Sequence, residues 1–260
     1  IEGIERACRT EGYDMLVSHI IHNEHSSDDI LEIIKQEQVA GVLLLATEMD
    51  EADLEIFKNL NVPVVLLDSY FKNEDFDSVL INNTRGAYQA VKHLIENGHT
   101  EIGCLESSKF INNFYYRYEG YKEALYDANL NINKQYSLLL EPTLEGAYRD
   151  MKEFLSDEDF MLPTAYFAFN DIIAFGAIRA LKEQNIRVPE HVSIVGFDEM
   201  PFCEISSPRL TTVRVYKQYM GKTAISRLIE KISEQDEMKL KIEINTELIR
   251  RESVRDINKK

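Results

Sequence analysis

The chain has 260 residues, of which 44% are hydrophobic and 28% are charged, so it is long enough to bury a large core and too apolar to be disordered. Its net charge is −16, and Lys and Arg are not concentrated anywhere except in the tail ending Lys259–Lys260, which argues against nucleic-acid binding by this segment itself. The longest apolar run, about Val39–Ala46, is far shorter than the roughly 18 residues of a membrane helix. Three widely spaced cysteines, Cys8, Cys104 and Cys203, indicate neither a disulfide framework nor a metal site, so the composition predicts a protein of the reducing cytoplasm.

Helical and strand patterns alternate along the whole chain. Helices are predicted where apolar residues recur at spacings of three and four, and strands where short apolar runs are bounded by polar or turn residues. The predicted helices cover about 1–12, 26–38, 51–59, 84–97, 115–128, 144–155 and 216–234, with another between 171 and 188. The predicted strands cover about 13–18, 39–46, 62–68, 77–81, 101–106, 136–140, 164–169, 192–198 and 240–248. This alternation is typical of a doubly wound α/β fold.

The stretch from Thr164 to Asp198 is predicted to be a βαβ unit, because two apolar runs flank one amphipathic helix. Strands joined by so long a crossover must be parallel, so their carboxyl ends lie at the same edge of the sheet. Asn170 and Asp198 follow those two ends. Open α/β sheets bind ligands at this edge, and both side chains are good hydrogen-bonding groups.

A series of motifs in a fixed order carries a resemblance to a known family. They are His93-Leu94-Ile95-x-x-Gly98-His99-x-x-Ile102, Arg117-x-x-Gly120-Tyr121-x-x-Ala124-Leu125, Asn170-Asp171-x-x-Ala174-x-Gly176-x-x-x-Ala180-Leu181, Val188-Pro189-x-x-Val192-Ser193-Ile194-Val195-Gly196-Phe197-Asp198, Pro208-x-Leu210-Thr211-Thr212-Val213, Met220-Gly221-x-x-Ala224 and Leu248-Ile249-x-Arg251-x-Ser253. Together they resemble the effector-binding core of the lactose/galactose-repressor (LacI/GalR) family. The resemblance spans nearly the whole chain.

The resemblance implies a periplasmic-binding-protein-like fold of type I, with two doubly wound parallel-sheet lobes joined by three crossovers. The first lobe is expected at about 1–81 plus 213–241, and the second at about 82–212 plus 242–260. The family's core normally starts with one more strand, preceded by a DNA-binding head. Both are expected to be missing before Ile1.

Arg117 is the first candidate ligand-binding residue. It lies near the start of a predicted helix, with Asn112 or Asn113 as the cap, where a cation opposes the helix dipole at a cost of about 0.3–1 kcal/mol. Such an Arg is expected to have a partner elsewhere, and the resemblance implies that this partner is a set of ligand hydroxyls. The alternative is a solvated surface side chain.

Asp198 and Asn170 are candidates because of their position at strand ends. A carboxylate can accept hydrogen bonds from two neighbouring sugar hydroxyls, which distinguishes sugars by stereochemistry. The alternatives are local: Asp198 could belong to a turn, and Asn170 could cap the helix that follows it.

Five further candidates lie in the loops near predicted strand or helix ends. Phe114 offers a ring face on which a sugar could stack, a role that falls to Phe or Tyr because the chain has no Trp. The full set is Asp68, Asn113, Phe114, Glu141 and Thr47.

Metal and enzyme functions are not favoured. His19, His22 and His25 recur every third residue, but they straddle a predicted strand end and helix start, so a polar loop is expected there. The chain contains no Gly-x-Ser-x-Gly, Gly-x-Gly-x-x-Gly or Gly-Lys-Ser/Thr motif, and we therefore predict neither an enzyme nor a cofactor.

The resemblance implies the effector-binding and dimerisation core of a cytoplasmic bacterial transcriptional regulator. A small polar effector, a sugar or sugar derivative, is expected between the lobes, where it would control operator binding by the missing head of a homodimer. The alternative is the sugar-binding protein of an ABC importer. The motifs Pro208–Val213 and Leu248–Ser253 resemble those of regulators rather than of transport proteins.

Overall fold

A computed structural model of the chain describes residues 1–19, 27–234 and 237–259. The helices are α1 (Glu2–Thr10), α2 (Ser27–Gln36), α3 (Glu55–Lys58), α4 (Asn83–Glu96), α5 (Asn112–Asp127), α6 (Leu144–Ser156), α7 (Asp171–Glu183) and α8 (Lys217–Glu234). The strands are β1 (Val42–Leu45), β2 (Val64–Leu67), β3 (Asp77–Ile81), β4 (Ile102–Ser107), β5 (Ser137–Leu140), β6 (Ala165–Ala168), β7 (Ser193–Asp198), β8 (Thr211–Arg214), β9 (Lys241–Ile244) and β10 (Glu247–Ile249). Short 3₁₀ helices cover Lys134–Tyr136 and Pro201–Glu204.

The chain divides into two compact units, between which it passes three times. The first unit contains Ile1–Ile81 and Tyr216–Ile244, and the second contains Asn82–Val215 and Asn245–Lys260. The second and third crossovers, at 215–216 and 244–245, lie three residues later than predicted, and the first lies at the predicted position, 81–82. Each unit has its own sheet, in which the strands are all or mostly parallel.

The first unit is built on a four-stranded parallel sheet in the order β1-β2-β3-β9. Helix α8 packs against β1, β2 and β3, and α1 packs against α8. A buried ion pair joins helix and sheet: Arg227 Nε of α8 lies 2.7 Å from Asp77 Oδ1 at the start of β3, with side-chain exposures of 4% and 0%. Arg227 also donates from Nη2 to the Met238 carbonyl oxygen.

The second unit is built on a six-stranded sheet in the order β10-β8-β7-β6-β4-β5. All neighbouring strands are parallel except β10, which runs antiparallel to β8. The central strand β6 is buried throughout, as expected for a strand covered by helices on both faces. The prediction of an α/β fold with parallel-sheet lobes is therefore confirmed, and β6 and β7 deliver their carboxyl ends to one edge.

Two of the predicted strands are wrong. Residues 13–18 form no strand, and Leu16 and Val17 are more than half exposed; their apolar character suits a strand, but a strand also needs a neighbour to satisfy its backbone. The single strand predicted over 240–248 is two strands, β9 in the first unit and β10 in the second. The alternating pattern shows which faces are buried, but it does not show against which sheet each half pairs.

The packing of α4 against α5 brings together the residues of the site described below. Gly120 allows this approach, because a Cβ there would collide with the Thr84 carbonyl oxygen. The close contact sets the start of α4 beside the first half of α5. As a result, Asn83 on α4 reaches both Asn113 and Arg117 on α5.

We expect Gly120→Ala to destabilise the second unit by about 1–3 kcal/mol, because a backbone oxygen cannot move aside as a flexible side chain would. The loss would appear as a lower midpoint in urea denaturation. Glu123→Ala, on an exposed position of the same helix, is the control and should change stability by less than about 0.5 kcal/mol. Equal effects of the two substitutions would show that the α4–α5 contact is not close.

Candidate ligand-binding site

Arg117 is a buried side chain of the second unit, with only 4% of its surface exposed. Its guanidinium donates from Nε to Asn83 Oδ1 at 2.9 Å, from Nη1 to the Phe169 carbonyl oxygen, and from Nη2 to Asp198 Oδ1 at 2.9 Å. These three acceptors come from α4, from the residue after β6 and from the end of β7. The alternative of a solvated surface Arg is therefore wrong.

The helix that carries Arg117 begins earlier than predicted. α5 starts at Asn112 and its N-cap is Ile111, which makes no side-chain cap hydrogen bond, so neither Asn112 nor Asn113 is the cap. Arg117 consequently lies in the second turn, beyond the reach of most of the dipole effect. Its need for partners arises from burial instead, since an unpaired buried guanidinium would cost several kcal/mol.

Aromatic rings hold the plane of the guanidinium. The Arg117 Cζ lies 3.8 Å from the centroid of the Phe197 ring and 5.5 Å from that of Phe114. Phe114 in turn stacks on Phe169, with a centroid separation of 5.4 Å and an interplanar angle of 28°. Phe114 is thus buried beside the guanidinium. Fixed rings and fixed acceptors leave Arg117 little rotamer freedom, so the fork of donors is preorganised.

Asp198 is the last residue of β7 and the partly exposed member of the ion pair. Its side chain is 27% exposed, and its Oδ1 accepts from Arg117. Its backbone has a φ of +103°, outside the regions that L-residues usually occupy. The carboxylate therefore has one oxygen engaged inside the unit while the group as a whole reaches the surface.

Asn170 lies after β6, the strand next to β7, as predicted. It is the N-cap of α7, and its Oδ1 accepts from the Ile173 backbone N–H at 2.9 Å. The capping alternative is therefore what the structure shows. The cap uses only the side-chain oxygen of this half-buried residue, so its amide Nδ2 can still donate a hydrogen bond.

Glu141 follows β5 at the same edge, but two strands away from β6. Its carboxylate pairs with Arg149 Nη2 at 2.9 Å, and its backbone N–H donates to Asp150. Both partners belong to α6, so the contacts of Glu141 are local.

Asn83 contacts Arg117 but is not among the predicted site residues, because the sequence places it only at the start of the helix predicted over 84–97. The cap is Asn82, whose side chain accepts from the Arg85 N–H. Asn83 is buried, accepts from Arg117 Nε, and donates from Nδ2 to Asn113 Oδ1 at 3.0 Å. The available signal was that Asn82 and Asn83 are adjacent, although one of them is enough to cap the helix.

Thr47 and Asp68 lie in the first unit, directly after or close to the ends of β1 and β2. Asp68 has a φ of +56°, and its backbone N–H donates to the Val79 carbonyl oxygen at 2.8 Å. Both residues follow the carboxyl ends of parallel strands and therefore lie at the edge of the sheet, where polar residues after predicted strands are expected. Their role in ligand binding stays a prediction.

Asp171 joins three segments around the site. This fully buried side chain of α7 accepts from Thr212 Oγ1 at 2.6 Å, from the Met200 backbone N–H at 2.8 Å and from Cys203 Sγ at 3.1 Å. Burial raises the pKa of Asp171 from 3.8 to about 6, although these hydrogen bonds act in the opposite direction. A Cβ at Gly196 would collide with the same carboxylate.

Metal ligands and membrane helices are not found in the described part of the chain. Among residues 1–19, 27–234 and 237–259, no cluster of three His, Cys, Asp or Glu side chains could hold a metal ion. His22 and His25 lie outside the described residues. No helix in these ranges has the length and apolarity that crossing a bilayer requires. The three cysteines are buried and free.

Comparison with protein families and curated proteins defines the class of this fold and site. Residues 91–254 match the family described as periplasmic binding protein-like domain. The HTH-type transcriptional repressor PurR of Actinobacillus pleuropneumoniae serotype 5b (strain L20) is 34% identical over 260 residues, covering 98% of this chain and 76% of that protein. PurR of Aliivibrio fischeri (strain MJ11) is 32% identical over 255 residues, with the same coverage of both chains.

Solved structures give the same result. A regulatory protein of the LacI family from Chloroflexus aggregans has a TM-score of 0.88 and 26% identity, covering 97% of this chain and 90% of that one. The transcriptional regulator CelR in complex with cellobiose has a TM-score of 0.86 and 26% identity, covering 96% and 76%. A LacI-family regulator from Enterococcus faecium with bound ribose has a TM-score of 0.83 and 25% identity, covering 98% and 92%.

The fold and these relatives define an effector-binding core of the periplasmic-binding-protein-like type. The chain belongs to the LacI family of transcriptional regulators. The relatives named above are transcriptional repressors and regulators, so they give no support to the alternative of an ABC importer's binding protein.

The raised pKa of Asp171 predicts a pH-dependent contribution to stability. Because the folded-state pKa is above the unfolded value, the contribution is fully present below about pH 3.8 and is lost as the pH rises through about 6. Asp171→Asn removes this pH-dependent contribution to stability. We expect the free energy of unfolding of the wild type, relative to that of the variant, to fall by about 2 kcal/mol between pH 4.5 and 7.5.

Urea denaturation of both proteins at several pH values would measure this difference. Asp159→Asn, which removes an exposed carboxylate from a loop, should leave the pH dependence of the wild type in place. Parallel pH profiles for the wild type and Asp171→Asn would show that Asp171 titrates alike in the folded and unfolded chains.

Proposed function

We propose that this chain binds a neutral carbohydrate at the carboxyl edge of the second unit's sheet, with Arg117 and Asp198 as the principal contacts. In the complete protein this ligand would control operator binding by an N-terminal head, within a cytoplasmic homodimer. The observation that carries the proposal is the ion pair between these two residues, in which the Arg117 side chain is buried and the Asp198 side chain is partly exposed to solvent.

The pair matches the chemistry of a polyol. A guanidinium has five N–H donors in a rigid plane, and three of those on Arg117 are engaged by the acceptors described above. The two remaining N–H groups have no acceptor among the described residues. Asp198 supplies acceptors beside them. A sugar hydroxyl both donates and accepts, so one hydroxyl can bridge the two side chains.

The charge of the pair favours a neutral ligand over an anionic one. Asp198 neutralises Arg117 at 2.9 Å, and the whole chain carries a net charge of −16. A sugar phosphate would have to compete with Asp198 for the guanidinium and approach an acidic surface. A neutral sugar meets neither cost.

The remaining candidates are assigned by their contacts. Phe114 packs between Phe169 and the guanidinium, so we assign it to holding Arg117 rather than to covering the ligand. Asn113 supports Asn83 in the same way. Asn170 is assigned to the ligand through its Nδ2. Glu141, Thr47 and Asp68 remain candidates for ligand contact because each follows the end of a strand.

The relatives support a sugar ligand and a DNA-binding partner. CelR was solved with cellobiose and the Enterococcus faecium regulator with ribose. The PurR proteins are named HTH-type repressors, and this chain spans about three quarters of their length. A helix-turn-helix head in the remainder would read operator half-sites whose spacing matches the symmetry of a homodimer.

A thermal-shift screen of neutral monosaccharides and disaccharides, with sugar phosphates and nucleobases for comparison, tests the ligand class. A sugar at about 100 times its dissociation constant should raise stability by about 2.7 kcal/mol. Arg117→Lys and Asp198→Asn should each weaken binding at least about 30-fold, the effect of breaking a buried charged contact, as measured by calorimetry.

The matched controls are Arg209→Lys and Glu252→Gln. These residues form an ion pair of similar length, 2.7 Å, but both are exposed and Arg209 precedes β8, at the opposite edge of the sheet. Both controls should bind the sugar as the wild type does. Binding of a sugar phosphate or a nucleobase instead would overturn the carbohydrate class. Sugar binding that neither site variant weakens would overturn the site.

Light scattering at micromolar concentration tests the homodimer. We expect twice the mass of one chain, because the family's regulators act on two half-sites. A single-chain mass would contradict the proposed assembly.

A further inference from the structure

The turn that follows Asp198 is conformationally strained. Asp198 has a φ of +103° and Glu199 a φ of +46°, although neither is a glycine. Residues in such regions raise the energy of the backbone and persist only where the surroundings hold them. The turn contains no glycine that would favour this conformation, so its shape depends on contacts made by its side chains.

Glu199 makes the most extensive of these contacts. Its carboxylate accepts from Arg214 through both Nε and Nη2, and from Arg251 Nη2 at 2.7 Å. The Glu199 side chain is 14% exposed and that of Arg251 is 9% exposed, so both are partly buried. A carboxylate held by two guanidinium groups in a partly buried site is among the strongest side-chain anchors available to a turn.

Both arginines are themselves fixed to the second unit. Arg214 ends β8, where its backbone pairs with Asp198 in the parallel ladder, and its Nη1 lies 3.2 Å from Glu247 on β10. Arg251 donates from Nη1 to the Leu210 carbonyl oxygen and pairs with Glu204 at 3.3 Å. The anchor of the turn is therefore tied to β8 and to the neighbouring strand β10.

The ionisation of Glu199 follows from the same contacts. Burial by itself would raise the pKa of Glu199, but the hydrogen bonds from Arg214 and Arg251 outweigh burial and lower it. The carboxylate is therefore charged at neutral pH, as its ion pairs with the two arginines require.

We propose that Glu199 is a positioning residue for ligand binding: held by Arg214 and Arg251, it fixes the strained turn that keeps the Asp198 carboxylate on Arg117. The proposal rests on the proposed function, in which Asp198 contacts the sugar. Glu199 itself faces the two arginines and contributes no direct contact to the ligand.

The first test measures the Arg117–Asp198 bond without a ligand. Hydrogen exchange of the Arg117 guanidinium N–H groups is followed by NMR in the whole chain, and the wild type should show slow exchange because these groups are buried and bonded. Glu199→Gln keeps the size of the side chain and removes its charge. It should speed the exchange at least about tenfold, since the turn then releases Asp198 more often.

The matched control is Glu252→Gln, which removes the same charge from the exposed pair with Arg209. It should leave Arg117 exchange unchanged, and both variants should keep the melting temperature well above that of the measurement. Unchanged Arg117 exchange in Glu199→Gln would overturn the positioning role.

The second test is a double-mutant cycle with ribose and cellobiose as the probes. If Glu199 acts through Asp198, Glu199→Gln should weaken binding about tenfold in the wild type and less than about twofold in an Asp198→Asn background. An equal loss in both backgrounds would show that Glu199 acts by another route and overturn the proposal. Binding that Asp198→Asn leaves intact would instead overturn the proposed function, while the exchange measurement would still decide the positioning role.

Discussion

The second unit depends on the compensation of one buried guanidinium. Removing a charged group from water costs several kcal/mol, and only well-placed acceptors and an opposite charge offset that cost. Arg117 receives them from α4, from the backbone after β6 and from the end of β7. No single element supplies enough, so the ion pair can form only when helices and sheet have assembled correctly. Correct assembly of the unit is therefore a condition for the geometry around Arg117.

A second Arg–Asp pair is more completely buried than the Arg117–Asp198 pair. In the first unit, Arg227 and Asp77 are both closed off from solvent, and the guanidinium is also bonded to a backbone carbonyl of the same unit. That pair joins α8 to β3, and neither of its side chains is accessible to a ligand in solvent. The Arg117–Asp198 pair has the same chemistry and a comparable distance, but its carboxylate reaches the surface. The exposure of the carboxylate is therefore what distinguishes the two pairs, and it is the reason why we assign the ligand contact to Asp198 and not to Asp77.

Sequence reasoning finds those features that a local pattern encodes. The alternation of strand and helix predicts the parallel sheets, and the polar residues after two apolar runs predict that Asn170 and Asp198 lie at one edge. It does not find Asn83, because its importance lies in partners 30 and 34 residues away. The strand expected at 13–18 and the single strand over 240–248 are wrong for a related reason, since pairing is a property of two segments.

The strained turn after β7 has a consequence for protein engineering. Its conformation depends on side chains of α7, β8 and the segment after β10, among them Asp171, Arg214 and Arg251, which hold the Met200 backbone and the Glu199 carboxylate. The Asp198 carboxylate therefore cannot be moved to another protein together with its loop alone. Grafting Phe197–Pro201 onto another scaffold would transfer the sequence of the turn without its conformation. A functional graft would also need the supporting residues of the three distant segments.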